Sequence, residues 1–177
     1  MNIDEIKLAK AGNTDVLGSI LMENVQSMYR VAFSILKTED EIYDAISNTI
    51  VIVFEKIGTL KNEEFFKTWL IRILINECYK IYKQNKKIIY LENCNHDNLT
   101  YNGKYVDFEI RKTIKNLDKD LQEIVILYYY EDFSVKDISQ ILKIPEGTVK
   151  SRLSRAREKL QQEFIKDKID ERGSLNG

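Results

Sequence analysis

The feature that most constrains this sequence is its shortage of turn-forming residues, with one proline and seven glycines in 177 residues. A sheet-rich chain of this size would need many tight turns, and such turns are usually built from Gly and Pro. Apolar residues make up 44% of the sequence, which is enough to bury a core. At roughly 100–200 residues per domain, the length allows one domain or two small ones. We therefore predict an all-α protein.

Residues that usually carry catalysis or bind metals are scarce. The sequence has one histidine and two cysteines. Cys78 and Cys94 form no CxxC motif and have no histidine at ligand spacing, so we interpret both as reduced thiols. His96 is interpreted as an exposed linker residue. We expect no catalytic residue, no metal, no cofactor and no small-molecule substrate, so the chain is not predicted to be an enzyme.

The sequence also lacks the signals of secretion or membrane insertion. Its first residues, MNIDEIKLAKAG, are polar and acidic and contain no apolar run of the kind found in signal peptides. Uninterrupted apolar stretches such as residues 50–54 are far shorter than the roughly 20 residues that span a bilayer. We expect a soluble, cytoplasmic protein.

Apolar residues recur at helical spacing in several stretches. These are 16–36, 42–57 and 65–81 in the first half, and 108–117, 121–130, 135–142 and 149–160 in the second. Between the halves, residues 85–106 lose the pattern and are rich in Asn, Asp and Gly, which favour turns. The predicted architecture is two small helical domains joined by a flexible linker, with domain 1 at 1–87, the linker at 88–106 and domain 2 at 107–177.

Charge is balanced overall, at −1, but not along the chain. Residues 65–90 carry a net +5 and residues 148–177 a net +3, whereas residues 1–64 carry −5 and residues 91–147 carry −4. A solvated helix face would account for either basic segment alone. Two basic segments in one chain also fit two separate contacts with a polyanion.

The second basic segment has the spacing of a helix-turn-helix. Residues 134–160 read SVKDISQILKIPEGTVKSRLSRAREKL, which predicts a short helix, a turn of about four residues containing Pro145, and a longer helix. Four apolar residues are predicted to pack the helices together: Ile138, Leu142, Val149 and Leu153. The outer face of the second helix then carries Lys150, Ser151, Ser154 and Arg155, with Arg152 at its flank. Because Arg can read guanine and Lys serves phosphate, the pattern indicates DNA binding, although any short helical hairpin with a basic face would share it.

The same segment resembles region 4 of the extracytoplasmic-function (ECF) sigma factors of the sigma-70 family. The resemblance rests on the string IPEGTVKSRLSRAREKL, preceded by Leu117, residues 124–130 and residues 133–142. The first half resembles region 2 of that family. Its region 2.2 helix is matched by Asp44, Ala45 and Thr49, and its WLxxIxxN helix by Phe66, Trp69, Leu70, Arg72, Ile73 and Asn76. The two matches occur in the family's order and together cover roughly residues 10–165.

The resemblance implies an alternative sigma factor, a promoter-specificity subunit of bacterial RNA polymerase. Family region 2.2 contacts the clamp helices of the beta prime subunit, and the corresponding surface here is Asp44, Ser47, Asn48 and Ile52. The family usually has Glu at position 43, Gln at 47, Glu at 48 and Arg at 52. This sequence has Tyr43, Ser47, Asn48 and Ile52, and so departs from the family at all four positions. Other implied partners are the beta flap, promoter DNA and an anti-sigma factor, which in many relatives lies in the membrane.

The resemblance also implies two contacts with promoter DNA. The loop at about 59–64 matches a family loop that captures a base flipped from the −10 element, and the next helix would line the non-template strand. The implied −10 residues are Lys61, Asn62, Thr68, Arg72, Asn76, Lys80 and Lys83. The implied −35 residues, on a helix beginning near Thr148 in the major groove, are Thr148, Lys150, Ser151, Arg152, Ser154 and Arg155.

Aromatic residues are assigned mainly to packing. We predict that Trp69 lies in the core beside Phe65 and Phe66, and that residues 128–130 pack against the helix-turn-helix. Tyr79 and Tyr82 lie beside Lys80 and Lys83, where packing and base stacking both remain open.

Two other functions compete with this interpretation. A helix-turn-helix regulator acting without the polymerase core would explain residues 134–160 but not the basic, aromatic helix at 65–87. A helical enzyme would need paired carboxylates, a nucleophile with its base, or a metal-ligand cluster, and the sequence shows none of these patterns.

Overall fold

The computed structural model describes residues 2–91, 114 and 116–174, with side chains described at 2–85, 114 and 116–162. The chain divides into two compact units, Met1–Val106 and Asp107–Gly177. Every regular element in the described ranges is helical, so the prediction of an all-α chain with two helical domains is confirmed. From residue 92 onward the predicted linker lies outside the described residues, as do Cys94, His96 and positions 108–113 and 115 of the helix predicted at 108–117.

Unit 1 (Met1–Val106) has four helices in its described part. They are α1 (Ile3–Lys10), α2 (Thr14–Phe33), α3 (Glu39–Lys56) and α4 (Phe66–Leu91), with short 3-10 turns at Ile57–Thr59 and Glu63–Phe65. In this unit, α4 packs against both α3 and α2.

Helix α1 was not predicted, because its sequence is mostly polar. Only Ile6 and Ala9 are buried, and local capping defines both ends. The Asn2 side chain accepts a hydrogen bond from Asp4 N–H, 3.0 Å away. Gly12 has a positive φ of 102°, which glycine adopts without a Cβ clash. The Gly12 N–H donates to Ala9 O and the Asn13 N–H to Leu8 O, the two bonds of a Schellman motif.

The caps of the next two helices agree with the predicted starts. Asn13 caps α2 by accepting a hydrogen bond from Val16 N–H at 3.1 Å. Thr38 and Glu41 form a reciprocal capping box at the start of α3, whose first turn, at 39–41, is acidic. These helices bury the apolar stripes, so the core of unit 1 lies between them and α4. Its most buried side chains include Leu17, Met28, Tyr29, Ile42, Val53, Phe66, Leu70 and Leu74.

Helix α4 extends further than predicted. The loss of apolar periodicity placed a linker from residue 85, yet the backbone is helical through Leu91. Asn85 Nδ2 donates to Glu41 Oε1, the same carboxylate that takes part in the α3 capping box. A polar tertiary contact therefore continues the helix where the apolar pattern stops, and the boundary proposed at residue 87 falls inside α4.

Unit 2 (Asp107–Gly177) contains the predicted helix-turn-helix. Its described elements are α5 (Lys119–Val125), a π-helical turn (Ile126–Tyr130), α6 (Val135–Leu142) and α7 (Glu146–Ser174). Ser134 caps α6 in a capping box with Asp137. Ile138, Ile141, Val149 and Leu153 are buried between the helices, whereas Leu142, also predicted to pack, is half-buried.

The turn between α6 and α7 is held by specific backbone contacts. Lys143 ends α6 in the left-handed conformation, with φ 56°. Ser139 Oγ donates to Ile144 O at 2.6 Å, and Ile144 N–H donates to Ser139 O at 3.2 Å. The Pro145 carbonyl accepts from Thr148 N–H and Val149 N–H. Helix α7 therefore begins at Glu146, two residues before the predicted start near Thr148, and Pro145 immediately precedes it.

Replacing Lys143 tests whether this turn stores backbone strain. A residue with a Cβ in the left-handed conformation costs roughly 1–2 kcal/mol, and glycine removes this cost. About half of the stability gained is lost again, because glycine has more conformational entropy in the unfolded state. We expect Lys143→Gly to raise the free energy of unfolding by about 0.5–1 kcal/mol, and Lys143→Val to lower it because a β-branched residue fits this region poorly. Urea unfolding followed by far-UV circular dichroism measures both. Equal stabilities of the two variants would contradict the strain.

Candidate nucleic-acid and protein interfaces

The outer face of α7 carries uncommitted basic side chains. Val149, Leu153 and Ala156 are buried against the rest of unit 2, so the opposite face is turned to solvent. Lys150 and Arg155 are exposed there, and within the described residues neither has a charged or hydrogen-bonding partner. Both cations therefore remain available to an external anion.

Hydroxyl groups share this face with the cations. Ser151 Oγ donates to Thr148 O at 3.0 Å, and Ser154 Oγ lies 3.3 Å from Glu158 Oε1. Both serines are exposed and Thr148 is half-buried. Because each serine oxygen keeps acceptor capacity while donating its proton, the face can accept hydrogen bonds as well as donate them.

Arg152 differs from its predicted setting. It is half-buried, and its Nε lies 3.1 Å from Asp120 Oδ2 on α5. The angle at that contact does not make a hydrogen bond, so the pair is ionic. Lys159 makes a second link to the same segment, with its Nζ 2.7 Å from Asp118 Oδ2. Both contacts join α7 to the N-terminal end of α5. We therefore infer that Arg152 helps to position α7 within unit 2.

The polar face of α4 lies opposite its buried stripe. Phe66, Leu70, Leu74 and Cys78 are fully buried. Ile73, which falls within the apolar stretch identified at 65–81, is half-buried, whereas Ile71 and Ile75 are buried. The polar face carries the half-buried Thr68 and the exposed Arg72, Asn76, Lys80 and Lys83. Lys80 Nζ is 3.4 Å from Oε2 of the half-buried Glu77, which offsets part of its charge.

The loop before α4 is a fixed structure. Leu60 and Phe66 are buried at its two ends, and Thr59 Oγ1 donates to Lys56 O at 2.7 Å. Asn62 Oδ1 accepts from Glu64 N–H at 3.0 Å. Asn62 Nδ2 also donates to Glu64 Oε2 at 3.5 Å, so both ends of the amide make a local contact, and each keeps one further hydrogen-bonding position. Lys61 is exposed beside it.

A charge pair connects the loop to α1. Lys10 Nζ lies 2.6 Å from Glu63 Oε1. The hydrogen bond from Lys10, followed by one from Glu63's own backbone N–H, holds the pKa of the Glu63 carboxyl below its ordinary 4.5. A carboxyl group whose pKa is lower in the folded than in the unfolded state stabilises the fold at pH values above the unfolded-state pKa. This stabilisation is lost as the pH falls through the folded-state pKa. The Glu63 carboxyl is therefore ionised at neutral pH.

Two aromatic side chains at the start of α4 were assigned to the core and lie differently. Phe65 is 51% exposed, and Trp69 is half-buried with its ring centroid 6.2 Å from that of Phe66. Residues 69, 72 and 76 lie on one face of α4, and residue 65, in the preceding 3-10 turn, continues the same spacing of three and four in the sequence. This spacing is the signal that would have assigned Phe65 to the polar face. An exposed aromatic ring beside cations suits stacking on unpaired bases.

The tyrosines of unit 2 also differ from the prediction of packing. Tyr128 and Tyr129 are 37% and 46% exposed, and their rings meet edge to face with centroids 4.9 Å apart. They belong to the π-helical turn that follows α5. A π turn holds more residues than an α turn and rotates the side chains that follow. The 3.6-residue period therefore misplaces these two rings.

The outer face of α3 mixes polar and apolar groups. Asp44, Ser47 and Asn48 are exposed and Ile52 is half-buried, as a solvent-facing stripe requires. Sequence reasoning missed three exposed apolar side chains on the same helix: Tyr43, Val51 and Phe54. Large apolar groups among polar ones on an exposed face are typical of protein-binding surfaces.

Other site types find no support in the described parts of the chain. Within residues 2–91, 114 and 116–174, no cluster of three or more His, Cys, Asp or Glu side chains is arranged to hold a metal ion. In the same ranges, no helix is both long and apolar enough to cross a bilayer.

Two family models match the chain, one in each unit. Sigma-70 region 2 matches residues 20–88, and Sigma-70, region 4 matches residues 107–160. The first match covers α2 to α4 and the second covers the helix-turn-helix.

Curated relatives match over nearly their whole length. RNA polymerase sigma factor SigV of Bacillus subtilis is 27% identical over 87% of this chain and 94% of the relative. ECF RNA polymerase sigma factor SigW of the same organism is 26% identical over 90% of this chain and 94% of the relative.

Two solved structures share the fold. The sigma factor RpoE of Bartonella quintana, solved with the anti-sigma factor NepR, is 25% identical with a TM-score of 0.71, covering 82% of this chain and 94% of that one. CnrH, solved with the cytosolic domain of CnrY, is 19% identical with a TM-score of 0.68, covering 93% and 97%. The second likeness concerns the fold alone.

Truncating Arg152 tests whether this side chain serves unit 2. We expect Arg152→Ala and Asp120→Asn each to lower the free energy of unfolding by about 1 kcal/mol, and Arg155→Ala to change it by less than about 0.5 kcal/mol. Urea unfolding followed by far-UV circular dichroism measures this. Fluorescence of Trp69, the single tryptophan, reports unit 1 and should not change. An Arg152→Ala variant as stable as Arg155→Ala would contradict the positioning role.

Proposed function

Because the chain belongs to the ECF group of the sigma-70 family and is an alternative sigma factor, we propose that it binds the core of bacterial RNA polymerase and directs it to specific promoters. The observation that carries this proposal is the pair of exposed basic faces on two separate units, α4 in unit 1 and α7 in unit 2. Each lies opposite a fully buried stripe, so binding at these faces requires no opening of either core.

Unit 2 recognises the −35 element through α7. Among the side chains described on this helix, at 146–162, Lys150 and Arg155 are exposed cations that make no hydrogen bond or ion pair. We assign Arg155 to a base edge and Lys150 to a phosphate, because a guanidinium matches guanine with two hydrogen bonds while an ammonium acts as a point charge. Ser151 and Ser154 add hydrogen-bonding capacity, and Thr148 lies at the start of the face. Arg152 contributes through its ion pair with Asp120.

Unit 1 holds the separated strand of the −10 element. Arg72, Asn76, Lys80 and Lys83 form an exposed row along α4 that suits a single-stranded backbone. Lys61, Asn62 and the exposed Phe65 lie in the loop and turn at its beginning, where a flipped base would be received. Extruding a base costs only a few kcal/mol, within reach of one stacking ring and a few hydrogen bonds.

The outer face of α3 binds the polymerase core. Asp44, Ser47 and Asn48 supply polar contacts, and the exposed Val51 and Phe54 supply apolar area. These exposed apolar side chains accompany the departures from the family at positions 47, 48 and 52, where Ser, Asn and Ile replace the usual Gln, Glu and Arg. This α3 surface would rely more on burial and less on charge than the usual family pattern. Contact of unit 2 with the beta flap completes the attachment.

An anti-sigma factor is the proposed regulator. The solved structure of RpoE contains the anti-sigma factor NepR, and that likeness at 25% identity supports a similar partner here. Polymerase and promoter lie in the cytoplasm, where this protein would act. A membrane-bound anti-sigma factor would retain it at the membrane. The chain itself carries out binding, and the polymerase carries out the chemistry.

Transcription in vitro tests the proposal. Purified chain and core polymerase are incubated with fragmented genomic DNA of the source organism, and transcript starts are mapped. Discrete starts that need both components are expected. Sequence-specific DNA binding by the chain alone, with no starts in the presence of core, would instead support a helix-turn-helix regulator.

Arg155 provides a test of −35 recognition. Removing one base contact weakens binding by about 1–3 kcal/mol, mainly at promoters with the matching base pair. We therefore expect Arg155→Ala to reduce transcription selectively at those promoters, as measured on a set of −35 point variants. Arg155→Lys is the matched control, because lysine keeps the charge but not the two-bond geometry. Full activity of the lysine variant, or equal loss on every −35 sequence, would make Arg155 a phosphate contact.

Asn76 and Lys80 provide a test of −10 recognition. Both are exposed, so Asn76→Ala and Lys80→Ala should change stability by less than about 0.5 kcal/mol. We expect slower promoter opening, measured by permanganate reactivity of unpaired thymines, and unchanged affinity for core. Loss of Lys80 should also lower the salt dependence of opening. Lys37→Ala, at an exposed lysine before α3, is the control. Normal opening with lost core binding would assign this face to the polymerase interface.

A further inference from the structure

The contact between α1 and the loop before α4 differs in kind from an ordinary surface ion pair. Lys10 and Glu63 are separated by 53 residues in sequence, and their side chains are 23% and 21% exposed. On the same helix, Lys7 and Asp4 form a local pair that is 61% and 82% exposed. The first pair joins two segments that are otherwise far apart in the chain. The second is a solvated ion pair, and such pairs contribute little to the free energy of folding.

Both charges of the Lys10–Glu63 pair also suit their positions along the helices. Lys10 is the last residue of α1, where the helix dipole favours a cation. Glu63 begins the 3-10 turn that leads into α4, where an anion is favoured. Removing either partner leaves the other charge unpaired and only partly exposed to water. The pair therefore restrains the position of the loop more strongly than an exposed pair would.

The anchor of this restraint is itself held firmly. Ile6 and Ala9 are buried where α1 packs on α2, and the Schellman turn at Gly12 fixes the connection between the two helices. The described contacts of α1 reach both 3-10 turns that flank the loop. Movement of the loop at Glu63 would thus have to break an ion pair to a rigid element.

The restrained segment is the one that presents the exposed groups. Between the buried Leu60 and Phe66, the exposed residues are Lys61, Asn62, Glu64 and Phe65. Only Glu63, in the middle of this stretch, points back to another element. Its neighbours are ordered by local bonds, from Glu64 N–H to Asn62 Oδ1 and from Phe65 N–H to Asn62 O. Fixing Glu63 therefore fixes the direction in which Asn62 and Phe65 face solvent.

We propose that Lys10 is a positioning residue through which α1 holds the loop at residues 60–65 in the conformation that receives an unpaired promoter base. The inference rests on the proposed function, in which this loop meets the −10 element. Lys10 itself touches no DNA in this account. It acts by preorganisation, since a loop already ordered in its binding conformation loses less conformational freedom when the base arrives.

Binding of an unpaired −10 strand by the complex of full-length chain and core polymerase tests the proposal. The probes are fluorescent single-stranded oligonucleotides that carry the −10 sequence, with each of the four bases at the captured position. The variants are Lys10→Met, which keeps the apolar stem, Glu63→Gln, and the two combined. Lys7→Met is the matched control, because it removes a lysine on the same helix that pairs with Asp4 and exerts only a minor charge effect on Glu63.

We expect Lys10→Met and Glu63→Gln each to weaken binding of the preferred oligonucleotide about fivefold to tenfold and to narrow the preference among the four bases. Such a change corresponds to about 1–1.4 kcal/mol at 1.4 kcal/mol per factor of ten. The double variant should be no weaker than either single variant, as expected for two halves of one interaction. Affinity for core polymerase and the behaviour of Lys7→Met should stay at the wild-type level.

Three results would overturn the positioning role. They are wild-type base preference in both single variants, additive losses in the double variant, and a loss in Lys10→Met that is equal for all four bases. A charge exchange, Lys10→Glu with Glu63→Lys, should recover part of the base preference, which a general loss of folding would not allow. If the wild-type complex itself shows no preference for the unpaired −10 strand, the proposed function of the loop fails, and this result is distinct from the other three.

Discussion

Burial of one face of α4 is the constraint on which unit 1 depends. Phe66, Leu70, Leu74 and Cys78 are fully buried along this helix, which packs on both α2 and α3. Once that stripe is inside, the cations at positions 72, 80 and 83 have to face solvent on the other side. The same packing fixes α3, whose inner residues Ile42, Ala45 and Val53 are buried and whose outer residues form the proposed polymerase surface. Core and binding surfaces of unit 1 are thus two sides of the same helices.

Unit 2 applies the same rule with added ionic contacts. The stripe Val149, Leu153 and Ala156 directs Lys150 and Arg155 outward. Arg152 and Lys159 pair instead with Asp120 in the first turn of α5 and with Asp118 immediately before it. Of the basic residues on α7, some therefore set the orientation of the helix and others remain for a ligand. A count of positive charges in the sequence cannot separate the two groups, because the acidic partners lie more than thirty residues earlier.

Elements with strong apolar periodicity were predictable from the sequence, and those held by local polar contacts were not. Helices α2 and α3 and the helix-turn-helix follow 3.6-residue stripes with recognisable caps, such as Thr38 and Ser134. Helix α1 buries only two residues and is defined by Asn2 and Gly12. The π-helical turn exposes Tyr128 against the expected register. The roles proposed for the DNA- and polymerase-facing residues remain predictions, since the fold supplies their exposure but not their ligands.

Site-specific photocrosslinking within a complex of chain, core polymerase and promoter DNA tests the central claim most directly. A photoreactive amino acid at position 76 in α4 and another at position 155 in α7 probe the two basic faces separately. The proposed function predicts that position 76 crosslinks to the non-template strand of the −10 element only when core is present, and position 155 to the −35 element. Crosslinks from both positions to the same DNA segment, or equal crosslinking from position 76 without core, would contradict it.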